Sequence, residues 1–167
     1  MTKKLEKDRE ILRSLAGRVA EIAALPIQEE KRRLWCKLNG LKPERPMVTI
    51  DQVCWSEMNI EGKLDLHCED EECRYYERTL RRILLQWEYF PVDMVVEPFI
   101  KVRKAVSNSA FGMSVKEHTL ATYETNDVVS HKFENQFNSV EDVMNKIKIP
   151  VISHDKTETE RRMDFAS

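Results

Sequence analysis

The chain has 167 residues, 41% hydrophobic and 34% charged, with a net charge of −2. That length can bury a core, and near-neutral charge excludes bulk electrostatic attraction to nucleic acid or an anionic membrane. No apolar run approaches the ~18 residues of a membrane helix, and the charged N-terminus has no signal-peptide pattern, so a cytoplasmic chain is expected, with Cys36, Cys54, Cys68 and Cys73 as reduced thiols. The charge is uneven, +5 over residues 1–46 and −7 over the rest. The basic part reads as a solvated helix face rather than a nucleic-acid arm.

Leu5, Leu12, Leu15, Val19, Ile22 and Ala23 recur at helical spacing and predict a helix over 3–24. Leu25-Pro26 ends it, and Pro26 suits the first turn of a second helix whose apolar stripe is Leu34, Trp35, Leu38 and Leu41, with Asn39-Gly40 as its C-cap signal. These two helices make an N-terminal hairpin over 1–44; residues 45–167 are expected to form the body it packs on. Met47-Val48-Thr49-Ile50 reads as a short buried strand, 54–59 as a turn, and 64–68 as an edge strand or extended loop. Cys73, Tyr76, Leu80, Ile83, Leu84 and Trp87 share one face of the strongest helix, 70–89. Met94-Val95-Val96 follows as a second buried strand that Pro98 ends. Strand 47–50, helix 70–89 and strand 93–96 form a right-handed parallel βαβ pattern. Further on, strands are expected over 113–123 and 128–133, a turn over 125–127, a helix over 140–147 capped by Asn138-Ser139, and a last helix over 157–167.

In parallel α/β sheets and barrels, ligands bind at the carboxyl ends of the strands. Asp51 and Gln52 follow the first strand and Glu97 the second, so two carboxylates could share one mouth, binding a cation or sharing a proton. The alternative for Glu97 is an ion pair with a neighbouring Lys or Arg such as Lys101 or Arg103. Trp55 lines that pocket or packs beside it. His67-Cys68…Cys73 lacks the paired spacing of a zinc site, so no metal is assigned to this chain. His118 and His131, in strand-like segments, read as hydrogen-bonded structural histidines.

The order of Arg45-Pro46-Met47-Val48, Phe90-Pro91-Val92-Asp93-Met94-Val95-Val96-Glu97 and Asn138-Ser139-Val140-Glu141-Asp142-Val143…Ile149-Pro150 resembles the uroporphyrinogen decarboxylase superfamily. The resemblance implies an α/β fold, the N-terminal part of a (β/α)₈ TIM-type barrel preceded by a helical hairpin. Decarboxylases carry an arginine-rich, glycine-containing loop after the first strand, where this chain has Asp51-Gln52-Val53-Cys54-Trp55-Ser56. The resemblance is therefore nearer the branch of corrinoid-linked methyltransferases. It implies Glu97 as the catalytic residue, with Asp51, Gln52 and Trp55 contacting a small-molecule substrate. For a full-length protein it implies zinc and a methylated corrinoid protein, with the zinc ligands in the later half of the barrel. Scarce glycine and an uncapped last helix fit the front fragment of such a barrel. The competing expectation is a non-catalytic interaction module that binds a partner protein or a second copy of itself.

Overall fold

A computed structural model describes residues 3–121 and 129–167. The chain divides into two compact units, 1–99 and 100–167. The hairpin expected over 1–44 lies in the same unit as residues 45–99.

The first unit is helical. Helix α1 (Lys3–Ala23) and α2 (Pro26–Asn39) are followed by a 3₁₀ turn (Ile60–Gly62) and α3 (Glu71–Tyr89). Leu15, Val19 and Ala23 of α1 bury against Leu80 and Leu84 of α3, with Val96 completing the cluster. Fully burying a leucine or valine is worth about 1.5–3 kcal/mol, so this α1–α3 seam is the main cohesive element of the unit. Asp70 caps α3 by accepting the N–H groups of Glu72 and Cys73, each at 3.0 Å. The end of α2 differs from its sequence signal. Gly40 has φ −83°, and the left-handed residue is Leu41, at φ 58° and 89% exposed. Leu41 donates to the Leu38 carbonyl and Lys42 to that of Lys37, the Schellman pattern. Leu41 is therefore outside the apolar stripe that Leu34 and Trp35 begin.

The two expected parallel strands are not formed. Residues 47–50 and 94–96 have no regular secondary structure, Asp93 lies in a turn, and 64–68 is irregular. The physical reason is that side chains take the backbone groups a ladder would use. The Asp93 carboxylate accepts the Val48 N–H at 2.9 Å, Gln86 donates to the Ile50 carbonyl at 2.9 Å, and Gln28 accepts the Val96 N–H at 2.9 Å. One backbone bond, Asp93 N–H to the Val48 carbonyl at 3.1 Å, joins the two segments. Helix and strand both occur in the chain, but no parallel pair and no barrel is formed by the described residues.

The second unit contains β1 (Ala105–Asn108), β2 (Glu117–Ala121), β3 (Val129–Phe133), α4 (Val140–Lys146), β4 (Ile152–Asp155) and α5 (Lys156–Ala166). β2 and β3 pair antiparallel with Thr119 opposite His131, and β1 pairs antiparallel with β4, Val106 opposite His154. The turn expected over 125–127 lies outside the described residues. Ser139 caps α4 by accepting the Asp142 N–H at 3.1 Å, and Asp155 caps α5 by accepting that of Glu158 at 2.9 Å. Among the described residues of this unit only Ala105 and Thr159 are buried.

Candidate functional site

The residues nominated for chemistry come from the irregular parts of the first unit. Glu97 is half-buried, and its carboxylate meets Arg32 of α2 at 3.2 Å. The ion-pair alternative thus describes its surroundings, with Arg32 rather than Lys101 or Arg103 as partner. Asp51 is exposed and accepts the Thr49 hydroxyl at 3.2 Å; Gln52 is exposed as well. Trp55 is half-buried, with the Arg82 guanidinium 5.0 Å from its ring centroid. Among the described residues no hydrogen bond or ion pair links Asp51, Gln52 or Trp55 to Glu97.

What organises this region is one face of α2. Gln28, Arg32 and Trp35, at positions i, i+4 and i+7, all reach the 93–97 segment. Gln28 holds the Val96 N–H, Arg32 holds Glu97, and the Trp35 indole donates to the Asp93 carbonyl at 2.9 Å. Lys31 lies beside them, its ammonium 4.8 Å from the Trp87 centroid, and burial lowers its pKa against the opposing pull of Asp93. Gln28 is fully buried, and its Nε2 has no partner among the described residues.

Asp93 is the most constrained carboxylate of this clamp. Arg45 binds it with both terminal nitrogens, and Val48 donates its N–H. The Arg45 guanidinium above all, with the Val48 N–H, holds the acid at about 2 despite burial. The sequence placed Asp93 only at a strand start. The signal that could have found it is Arg45 ahead of Pro46, an arginine at the mouth of the same segment.

Two further buried carboxylates escaped the sequence reading. Asp8 of α1 is fully buried and accepts the N–H groups of Glu69 and Asp70, the latter at 2.8 Å. Glu77 of α3, also fully buried, accepts from His67 and Cys68 N–H groups and pairs with Arg81 at 2.8 Å. Burial raises the Glu77 pKa, but the Cys68 and His67 N–H groups and Arg81 outweigh it and the net shift is downward. These acids pin the His67–Asp70 strap across α1 and α3. Cys68 of the strap and Cys73 of α3 are buried free thiols; burial pushes them up to about 12 and about 11. Such thiols are protonated at neutral pH and poor metal ligands. No cluster of three or more metal-binding side chains occurs among the described residues.

Two clefts remain. A cavity of about 290 Å³ lies over α1 and α3, touching Arg18, Lys63, Arg81 and Glu88, where Lys63 is already paired with Glu88 and the Tyr89 hydroxyl. A larger one, about 490 Å³, lies in the second unit and is lined by Gly112, Lys116, Glu134, Gln136, Lys146 and Lys148 among others. No described helix is long and apolar enough to cross a membrane. No family model, curated protein or solved structure matches this chain.

Proposed function

We propose that this chain is a non-catalytic interaction module that associates with a second copy of itself through its second unit. The observation that carries this reading is the exposure of that unit's apolar side chains. Val140 and Met144, one turn apart on α4, are 81% and 75% exposed, and Ile149 beyond them is 91% exposed. Both sheets are two-stranded ribbons with open edges, and an isolated two-stranded ribbon is marginal in water. A second copy supplies matching edges and matching apolar faces in one symmetric contact. The nominated carboxylates lend catalysis little support, because Arg32 takes Glu97 and, among the described residues, no hydrogen bond or ion pair joins Asp51 to it. Sedimentation equilibrium tests the reading. A concentration-dependent dimer is expected, and Val140→Lys with Met144→Lys should return it to monomer with helicity unchanged. A wild-type monomer across the concentration range would sink the proposal.

A second reading keeps the uroporphyrinogen-decarboxylase-like resemblance. What favours it is the backbone bond between Val48 and Asp93, the two segments expected to lie side by side. On this reading the chain is the front part of a corrinoid-linked methyltransferase. Glu97 is then the catalytic group, and Asp51, Gln52 and Trp55 contact a small substrate. Zinc and a methylated corrinoid protein come with the remainder of such a barrel. Methyl transfer by a longer chain carrying that remainder, lost on Glu97→Gln with folding intact, is the outcome this reading requires.

A further inference from the structure

We propose that the cleft of the second unit is an anion site for a small phosphorylated molecule. At about 490 Å³ it falls in the size range of small-molecule sites. Three separate chain segments build it, and hydrogen bonds tie each wall to the next. The Glu134 N–H donates to the Lys116 carbonyl at 2.9 Å, and the Gln136 side chain to the Ser114 carbonyl at 3.0 Å. Lys146 Nζ donates to the Gln136 carbonyl, and the Lys148 N–H to that of Phe111, each at 2.8 Å. Gly112 completes the fit: at φ +80° it lies so close to the Lys148 stem that a Cβ there would stand 2.6 Å from Lys148 Cγ. The backbone therefore seats the Lys148 stem against the cleft floor.

The lining is also rich in lysine. Lys116, Lys146 and Lys148 line the cleft. Lys146 is occupied by the Gln136 carbonyl and by Asp142 at 3.2 Å, so it serves the wall. Lys116 and Lys148 are exposed and have no side-chain partner among the described residues. The acid in the lining, Glu134, is engaged by His118 at 2.8 Å. Two exposed lysines in one lining, with Asn135 and Gln136 beside them in it, suit a compact multivalent anion. Ammonium groups act as point charges toward phosphate oxygens and do not require the planar pairing of an arginine.

Inorganic pyrophosphate is the probe, titrated into the full chain at low salt and followed by backbone amide shifts. Saturable shifts confined to Gly112, Gln136, Lys148 and their neighbours are expected. Lys116→Gln and Lys148→Gln should each weaken binding about tenfold, the loss of one charge-assisted contact. Both side chains are exposed, and glutamine keeps the stem that packs on Gly112. Lys156→Gln, an exposed lysine outside the cleft, should change nothing. Shifts that do not saturate, or an equal loss with Lys156→Gln, would mean general charge screening and overturn the site. Displacement of pyrophosphate by equimolar citrate would mean that the cleft reads charge alone, and would overturn the phosphate assignment.

Discussion

Asp93 shows how one side chain can replace a strand. Its carboxylate occupies the Val48 N–H, its carbonyl accepts the Trp35 indole, and Arg45 pairs with both of its carboxylate oxygens. The residue therefore joins α2, the 45–48 connector and the 93–97 segment at one point. Because Arg45 holds its pKa at about 2, below the ~3.9 of an unfolded aspartate, its contribution to stability is fully present above about pH 4 and is lost as the pH falls through 2. Asp93→Asn is expected to be less stable than the wild type in urea at pH 6 by about 1–2 kcal/mol. The gap between the two proteins should close as the pH is lowered from 5 to 2. A gap constant with pH would mean that Arg45 does not hold the charge. The Nε2 of Gln28, buried beside the same segment without a partner among the described residues, is a local cost of about 1–3 kcal/mol that this clamp must offset. Neither feature was legible in the sequence, where Asp93 and Gln28 are an unremarkable aspartate before an apolar run and an amide in a first helical turn.

At the scale of elements, local chemistry explains what could be read. α1, α2 and α3 follow their apolar periodicity, and α4 and α5 start where Ser139 and Asp155 supply caps. β2 and β3 fall within the expected segments because alternation is itself a local signal. The strands at 47–50 and 93–96 failed because a buried apolar run looks the same whether its backbone partners are another strand or side chains from α2 and α3. β1 and β4 were missed for a related reason: their pairing joins residues nearly fifty positions apart, and neither segment alternates in an informative way. The end of α2 carries a testable strain. Leu41 adopts φ 58°, where a leucine Cβ crowds the backbone. Leu41→Gly should raise stability by about 0.5–1 kcal/mol in urea unfolding, since glycine occupies that conformation freely and no buried surface is lost. A destabilised variant would show that the Leu41 side chain makes a contact its exposure denies.

At the scale of the whole molecule the two units differ in kind. The first has a helical seam, three well-satisfied buried carboxylates and most of the buried apolar side chains. The second holds its shape by caps, ribbon ladders and cross-strand pairs such as His131 with Glu117 at 2.9 Å. Local opening follows buried contact, so exchange should be uneven. In hydrogen exchange, the α3 amides should be the most protected and those of β2 and β3 the least at low concentration. If the second unit is covered by another copy, protection of β2, β3 and α4 should rise with protein concentration while α3 stays constant. Equal protection across both units in dilute protein would contradict the thin packing of the second.

The sequence by itself determined the helices, the Ser139 cap of α4 and the β2–β3 segments, because periodicity and capping act over a few residues and leave a local trace. It also nominated Glu97, and it named ion pairing as the alternative to a pocket role. Only the tertiary structure decided that Arg32 is the partner, that Asp8, Glu77 and Asp93 are the carboxylates that hold backbone N–H groups, and that Lys116 borders one cleft with Lys146 and Lys148 of a second segment. The reason is that a buried carboxylate and an exposed one have the same letter. Which of them is enclosed, and by which donors, depends on chain segments dozens of residues away, and on whether side chains or strands reach the backbone groups first.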